Sequence, residues 1–88
     1  MIIFIKKGEY FQITHGADYP GNDITDFPGN LETCKKSCLD NNECTHFSVV
    51  RQILGDYRCY LKRNNSYGQV NKGDWYVSGK KYQNDYYY

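Results

Sequence analysis

The sequence is poor in proline, tryptophan and methionine, with two, one and one, and it has almost no excess of either charge, at a formal +1 from eleven Lys+Arg against ten Asp+Glu. A balance this even provides no sequence-independent electrostatic grip on nucleic acid or on an anionic membrane surface. Long apolar runs are missing too. The stretch Ile2-Ile3-Phe4-Ile5 has four residues, where a secretory leader needs roughly 7–15 and a spanning helix about 20. Neither a leader nor membrane insertion is expected. Length is the last scarcity: 88 residues leave no room for a second independent core, so residues 1–88 read as one domain.

What is present is sulfur and phenol. Four cysteines, Cys34, Cys38, Cys44 and Cys59, stand in a chain rich in Asn, Gly and Tyr, which fits the class of small domains stapled by disulfides in an oxidising compartment. The spacing C-x3-C-x5-C-x14-C lacks the tight knuckles of zinc sites, and neither His15 nor His46 completes one. Disulfides without a leader are expected of a mature fragment or an excised piece of a longer chain, which leaves open whether Met1 is the native start. Ten tyrosines against four Phe mean that most aromatic rings carry a hydroxyl needing a partner or water.

Along the chain, Ile2 to Thr14 reads as two short strands around Lys6-Lys7-Gly8, and His15 to Gly29 as a turn-rich segment with Ile24 and Phe27 as buried plugs. A helix is expected from Leu31 to about Asp40. Asn30 caps it, Glu32 complements its dipole, and Leu31, Cys34 and Cys38 share a face. Lys35 and Lys36 face solvent, and Asn41-Asn42 ends the helix. Strands follow at Thr45 to Arg51, Tyr57 to Arg63 and Asp74 to Tyr82, the last two separated by the polar stretch Asn64 to Gly73. One helix followed by strands on short turns is an α+β arrangement with antiparallel pairing, since parallel pairing needs crossover helices.

Four cysteines allow three pairings. Cys34 and Cys38 lie one turn apart on one helix, about 6 Å along its axis, and a bridge within that turn would strain the backbone. Cys38 at the helix end closes locally on Cys44, which leaves Cys34 to reach Cys59 on a central strand. In the chain-entropy account the short and long loops contribute roughly 2.4 and 3.5 kcal/mol.

The runs Gly21-Asn22-Asp23-Ile24, Asn30-Leu31-Glu32-Thr33-Cys34-Lys35-Lys36-Ser37-Cys38, Cys44-Thr45-His46-Phe47-Ser48-Val49 and Cys59-Tyr60-Leu61-Lys62 resemble the PAN/apple domain family. The similarity covers about residues 18–82 and leaves a Tyr-rich tail at 83–88. It implies a curved antiparallel sheet cradling a single helix, with the same two disulfides. The third disulfide of apple domains has no cysteines here, so the chain looks like the shorter PAN form. The resemblance further implies a secreted or extracellular, non-enzymatic binding module without a cofactor, for a glycan, galactose-type sugars included, or an extracellular protein.

If Cys59 faces the helix, alternation puts Tyr57, Leu61 and Arg63 on its side and Arg58, Tyr60 and Lys62 opposite. By the same rule Phe47, Val49, Trp75 and Val77 are core, whereas His46, Ser48, Tyr76, Ser78 and Lys80 face out. An outer face of Tyr, Arg and Lys is either simply solvated or a binding surface, because rings pack on sugar C–H faces while charged groups bond hydroxyls. The candidate ligand-binding residues are Tyr60, Lys62, Tyr76 and Lys80. Asn64-Asn65-Ser66 is an N-glycosylation sequon. Asp18, Asp23, Asp26 and Asp56 lack calcium-loop spacing, so no metal is expected. The alternative function is structural: copies assembling into a homo-oligomer, filament or larger particle through the edge of the N-terminal strand and the tyrosine tail.

Overall fold

The computed structural model describes residues 11–64 and 68–81. Its elements run β1 (Phe11–His15), β2 (Ala17–Asp18), β3 (Asp23–Pro28), α1 (Leu31–Asp40), β4 (His46–Arg51), β5 (Tyr57–Lys62), β6 (Val70–Asn71) and β7 (Tyr76–Lys81). Five strands form one antiparallel sheet in the order β1-β7-β4-β5-β3, and β2 and β6 make a separate two-stranded ribbon. The expected strand at Ile2 to Ile5, Tyr82 and the 83–88 tail lie outside the described residues.

The helix begins where Asn30 Oδ1 accepts the Thr33 N–H at 2.9 Å, meeting one of the free donors of the first turn. It buries Cys34 and Cys38 against the sheet. Both expected disulfides are present, Cys34–Cys59 and Cys38–Cys44. Lys35 is paired with Glu32 at 3.2 Å and half-buried, while Lys36 is exposed.

Between helix and sheet lies the core, built of Phe11, Phe47, Val49, Leu61 and the four sulfurs, with Ile13, Ile24, Phe27, Leu31 and Leu39 packed around it. Phe11 meets Phe47 edge to face at 5.1 Å between ring centres. Gly79 makes that packing possible. A Cβ there would sit 2.4 Å from the Phe47 ring, so the missing side chain is the space the ring occupies.

Three expectations about the course of the chain and its core change. The segment from His15 to Gly29 is not only turns, because it holds β2 and the edge strand β3. Gly16, at φ 81°, turns the chain out of β1: its N–H bonds Tyr76 O at 2.6 Å and its carbonyl accepts from Lys72 N at 2.8 Å. The chain then crosses the outer side of β4 and β7, where Ala17 and Tyr19 are buried. As a result Ser48 and Ser78, expected in solvent, lie buried beneath it. Trp75, expected in the core, is half-exposed: it sits in the turn before β7 and lines an open cavity with Val49 and Val77.

Candidate binding site

The outer face of the sheet is organised in rows set by the strand register. His46 lies between Lys62 and Lys80, Ser48 between Tyr60 and Ser78, and Val50 between Arg58 and Tyr76. The middle row is sealed by polar bonds. Tyr19 N donates to Ser48 Oγ at 3.3 Å, Ser48 donates to the Asp18 carboxylate, and Gln69 Nε2 donates to Tyr19 OH at 3.2 Å and Ser78 Oγ at 3.3 Å. Each hydroxyl under the ribbon therefore has a partner, which is the condition for burying it cheaply.

Where this cover ends, a pocket of about 280 Å³ opens between Asp18, Pro20, Gly21 and Asp23 on one side and Val50, Tyr60, Lys62 and Tyr76 on the other. Three of the four residues expected from sequence, Tyr60, Lys62 and Tyr76, meet in this pocket. Lys80 does not join them. It is exposed on the same face, beyond His46.

Lys62 differs from expectation in a way that matters. It faces outward but is only 4% exposed. Its ammonium bonds Asp23 Oδ1 at 2.5 Å and Gly21 O at 3.3 Å, and lies 5.7 Å from the Tyr60 ring centre. Asp23 stands directly opposite Lys62 in the register, just before the bulge that separates it from Thr25 in β3, and this pairing is what allows the lysine to be buried. Its charge is committed to holding the 21–23 turn against β5. At the other end of β5, Arg58 Nε bonds Asp26 Oδ2 at 2.6 Å.

His46, expected in water, is half-buried, its ring centre 4.4 Å from that of Tyr19, with Nδ1 2.7 Å from Thr45 Oγ1. Burial pushes its pKa below the ordinary imidazole value, and the cations Lys80 and Lys62 push it the same way. Asn64 is exposed just past β5, its carbonyl accepting from Asn22 Nδ2 at 3.1 Å, whereas Asn65 and Ser66 of the sequon lie outside the described residues.

The helix side carries a second cavity, of about 440 Å³, at the N-terminal end of α1. Leu31, Val49 and Val77 form its apolar lining, Trp75 and Tyr57 line it while each about half-exposed, and Arg51 lies over the indole at 5.4 Å. Alternation along the strands expected at 57–63 and 74–82 placed Tyr57 and Trp75 on the correct face, although Trp75 lies in the turn before β7. It carried no information on where the helix stops covering that face, and the Gly73-Asp74 turn before Trp75 was the available signal. Among the described residues no group of three or more His, Cys, Asp or Glu is placed to hold a metal ion, and no helix is long and apolar enough to cross a membrane.

A family model described as PAN domain matches residues 17–62, which spans β2, β3, the helix, β4, β5 and all four cysteines, and leaves Tyr76 and Lys80 outside the matched span. No curated protein matches the chain significantly. The matched span covers more than half of the sequence and contains both disulfides and the helix they fix to the sheet, so the chain belongs to the PAN domain family, whose members are in general protein- or carbohydrate-binding modules.

Proposed function

We propose that the chain is a non-catalytic binding module acting outside the cell or on the surface of a particle, and that its ligand is a glycan, galactose-type sugars included, or an extracellular protein. The observation that supports this reading is the 280 Å³ pocket in which Tyr60 and Tyr76 stand beside Asp18 and Asp23. A sugar presents a C–H face to a ring and hydroxyls to carboxylates. Asp18 and Asp23 each take one bond from the protein, from Ser48 and Lys62, and an ionised carboxylate keeps further acceptor capacity. Lys62 is a positioning residue in this scheme, holding Asp23 at the rim, and Lys80 supplies an outlying contact to an extended ligand. Two disulfides in so short a chain support an oxidising compartment. Asn64 is the proposed acceptor for glycosylation on a eukaryotic secretory route.

The test is a glycan-array screen of the oxidised domain alongside the double variant Tyr60→Ala, Tyr76→Ala. Retention of one sugar class by the native chain, lost by at least about tenfold in the variant with its melting temperature preserved, is the expected result. Equal retention by the variant moves the ligand off this pocket. A blank array rejects the glycan reading and leaves protein ligands.

A further inference from the structure

Hairpin tips are ordinarily built from Gly, Asn, Asp and Pro, which take the backbone angles a turn needs and sit in water without cost. The β4–β5 connection keeps such a residue where its geometry requires one. Gly55 lies at φ 91° and donates to Gln52 O at 2.9 Å, while Gln52 N–H bonds Asp56 O at 2.6 Å. The two apex residues are Ile53 and Leu54, 90% and 89% exposed. No hydrogen bond of this turn requires aliphatic side chains at its apex. Two adjacent, fully presented aliphatic groups are what a surface offers when another surface is to cover them.

The complementary shape stands at the same end of the molecule. The 440 Å³ cavity beside the hairpin has Leu31, Val49 and Val77 in its lining with Trp75 and Tyr57 half-exposed, and Arg51 and Tyr57, the residues that flank the tip, are among its walls. An apolar knob and an apolar hole on one patch of one chain satisfy the requirement of a two-fold contact, in which each copy offers the other both parts. We infer that this end is a self-recognition surface, with the Ile53–Leu54 tip of one copy seated in the Trp75 cavity of a second copy and the exchange made reciprocally.

Charge fits the same occupant. Arg51, Asp74 and Glu32 line the cavity, Glu32 being paired with Lys35, and Asp56 stands in the hairpin loop, so a two-fold arrangement can set the Arg51 of each copy opposite a carboxylate of the other across the rim. A net charge of +1 puts no appreciable repulsion between copies. The cavity is of a size that encloses a small group of atoms such as two aliphatic side chains. A patch of two apex residues and one cavity belongs to the small end of specific interfaces, so the dimer is weak and reversible. The surface lies on the helix side of the sheet, away from Tyr60 and Tyr76, and the inference holds whether or not a glycan binds there.

Trp75 is the chain's one tryptophan, and it reports the event directly. Sedimentation equilibrium of the oxidised protein from about 1 μM to about 1 mM, with emission spectra over the same range, tests the inference. The expected result is a monomer–dimer equilibrium whose dimer fraction tracks a blue shift of Trp75 emission. The double variant Ile53→Asp, Leu54→Asp, changed only at exposed positions, is expected to keep its melting temperature and to weaken the dimer at least about tenfold, with the blue shift lost. A monomer throughout the range overturns the inference. So does a dimer that forms without moving Trp75 emission, which is a reading on the native chain alone and holds even if the variant fails to fold.

Discussion

His46 shows how the outer face uses a residue type that usually sits in water. Its ring is pressed against Tyr19 and stands between Lys62 and Lys80 in the strand register, so both the loss of solvent and the two neighbouring cations favour the neutral imidazole. The folded pKa is therefore below 6.5, the ordinary value. Between those two values the unfolded chain binds more protons than the folded one, and stability rises with pH across that window. The contribution is complete above about pH 6.5 and is lost as pH falls toward the folded pKa. Melting curves recorded from pH 7.5 to pH 5 are expected to show a downward drift that His46→Asn removes, other groups being common to both proteins. Equal drift in the two proteins would mean that the imidazole carries no charge-linked cost.

At the scale of elements, the helix is short, and its two ends are met by different means. Asn30 closes the first from within the local sequence. At the other end the last turn holds no basic residue, and the cation comes from elsewhere: Lys81 at the end of β7 donates to Cys38 O at 2.7 Å and Asn41 O at 3.3 Å. Cys38 O already accepts the Asn41 N–H at 3.3 Å and Asn41 O the Cys44 N–H at 3.0 Å, so the ammonium adds a second bond to each carbonyl, and a cation there complements the helix dipole. Burial pushes the Lys81 pKa down, with Asp40 opposing, so part of the gain from the two bonds is offset. Lys81→Met is expected to cost about 1–2 kcal/mol, read as a shift in the denaturant midpoint with little change in its slope. A midpoint unmoved by the substitution would show that water caps the helix equally well.

The contrast between the two caps explains what could be read from the sequence. Asn30, the apolar face of Leu31, Cys34 and Cys38, and the β4 and β5 segments are local signals, and the structure bears them out within a residue or so. The β2–β6 ribbon left no such trace, because two-residue strands have no periodicity, and β3 was hidden among the Gly, Asp and Pro around it. From these two omissions the errors on the outer face follow. Alternation correctly placed Ser48, Ser78 and Lys62 away from the helix, but a strand's pattern does not reveal that another segment returns to cover it. The pocket of Tyr60 and Tyr76 was half legible for the same reason: the strands supplied one wall, and the 18–23 segment supplied the other.

For the molecule as a whole, the two disulfides do unequal work. Cys38–Cys44 closes a separation of six residues and secures the exit from α1, whereas Cys34–Cys59 closes twenty-five and ties the middle of the helix to a central strand across the core. Chain entropy makes the longer bridge the stronger by about 1 kcal/mol, on a total near 3.5 kcal/mol, in a domain whose whole stability is of the order of 5–15 kcal/mol. The bridge also fixes the wall between helix and sheet that encloses the Trp75 cavity, since Leu31 and Glu32 come from α1 and Val49 and Val77 from the strands. Replacing Cys34 and Cys59 by alanine is therefore expected to lower the melting temperature by about 15 °C or more, further than the Cys38 and Cys44 pair does, at roughly 4–8 °C per kcal/mol for a chain of this size. In the same variant Trp75 emission should move toward that of a solvent-exposed indole below the melting transition, because the helix end is released from the sheet before the strands separate. Melting curves and Trp75 emission spectra of the two double-alanine variants, beside a reductant titration of the native protein followed by circular dichroism, check both statements. If full reduction leaves the melting temperature unchanged, the staple is not what holds the helix to the sheet, and packing around Phe47 must hold it alone.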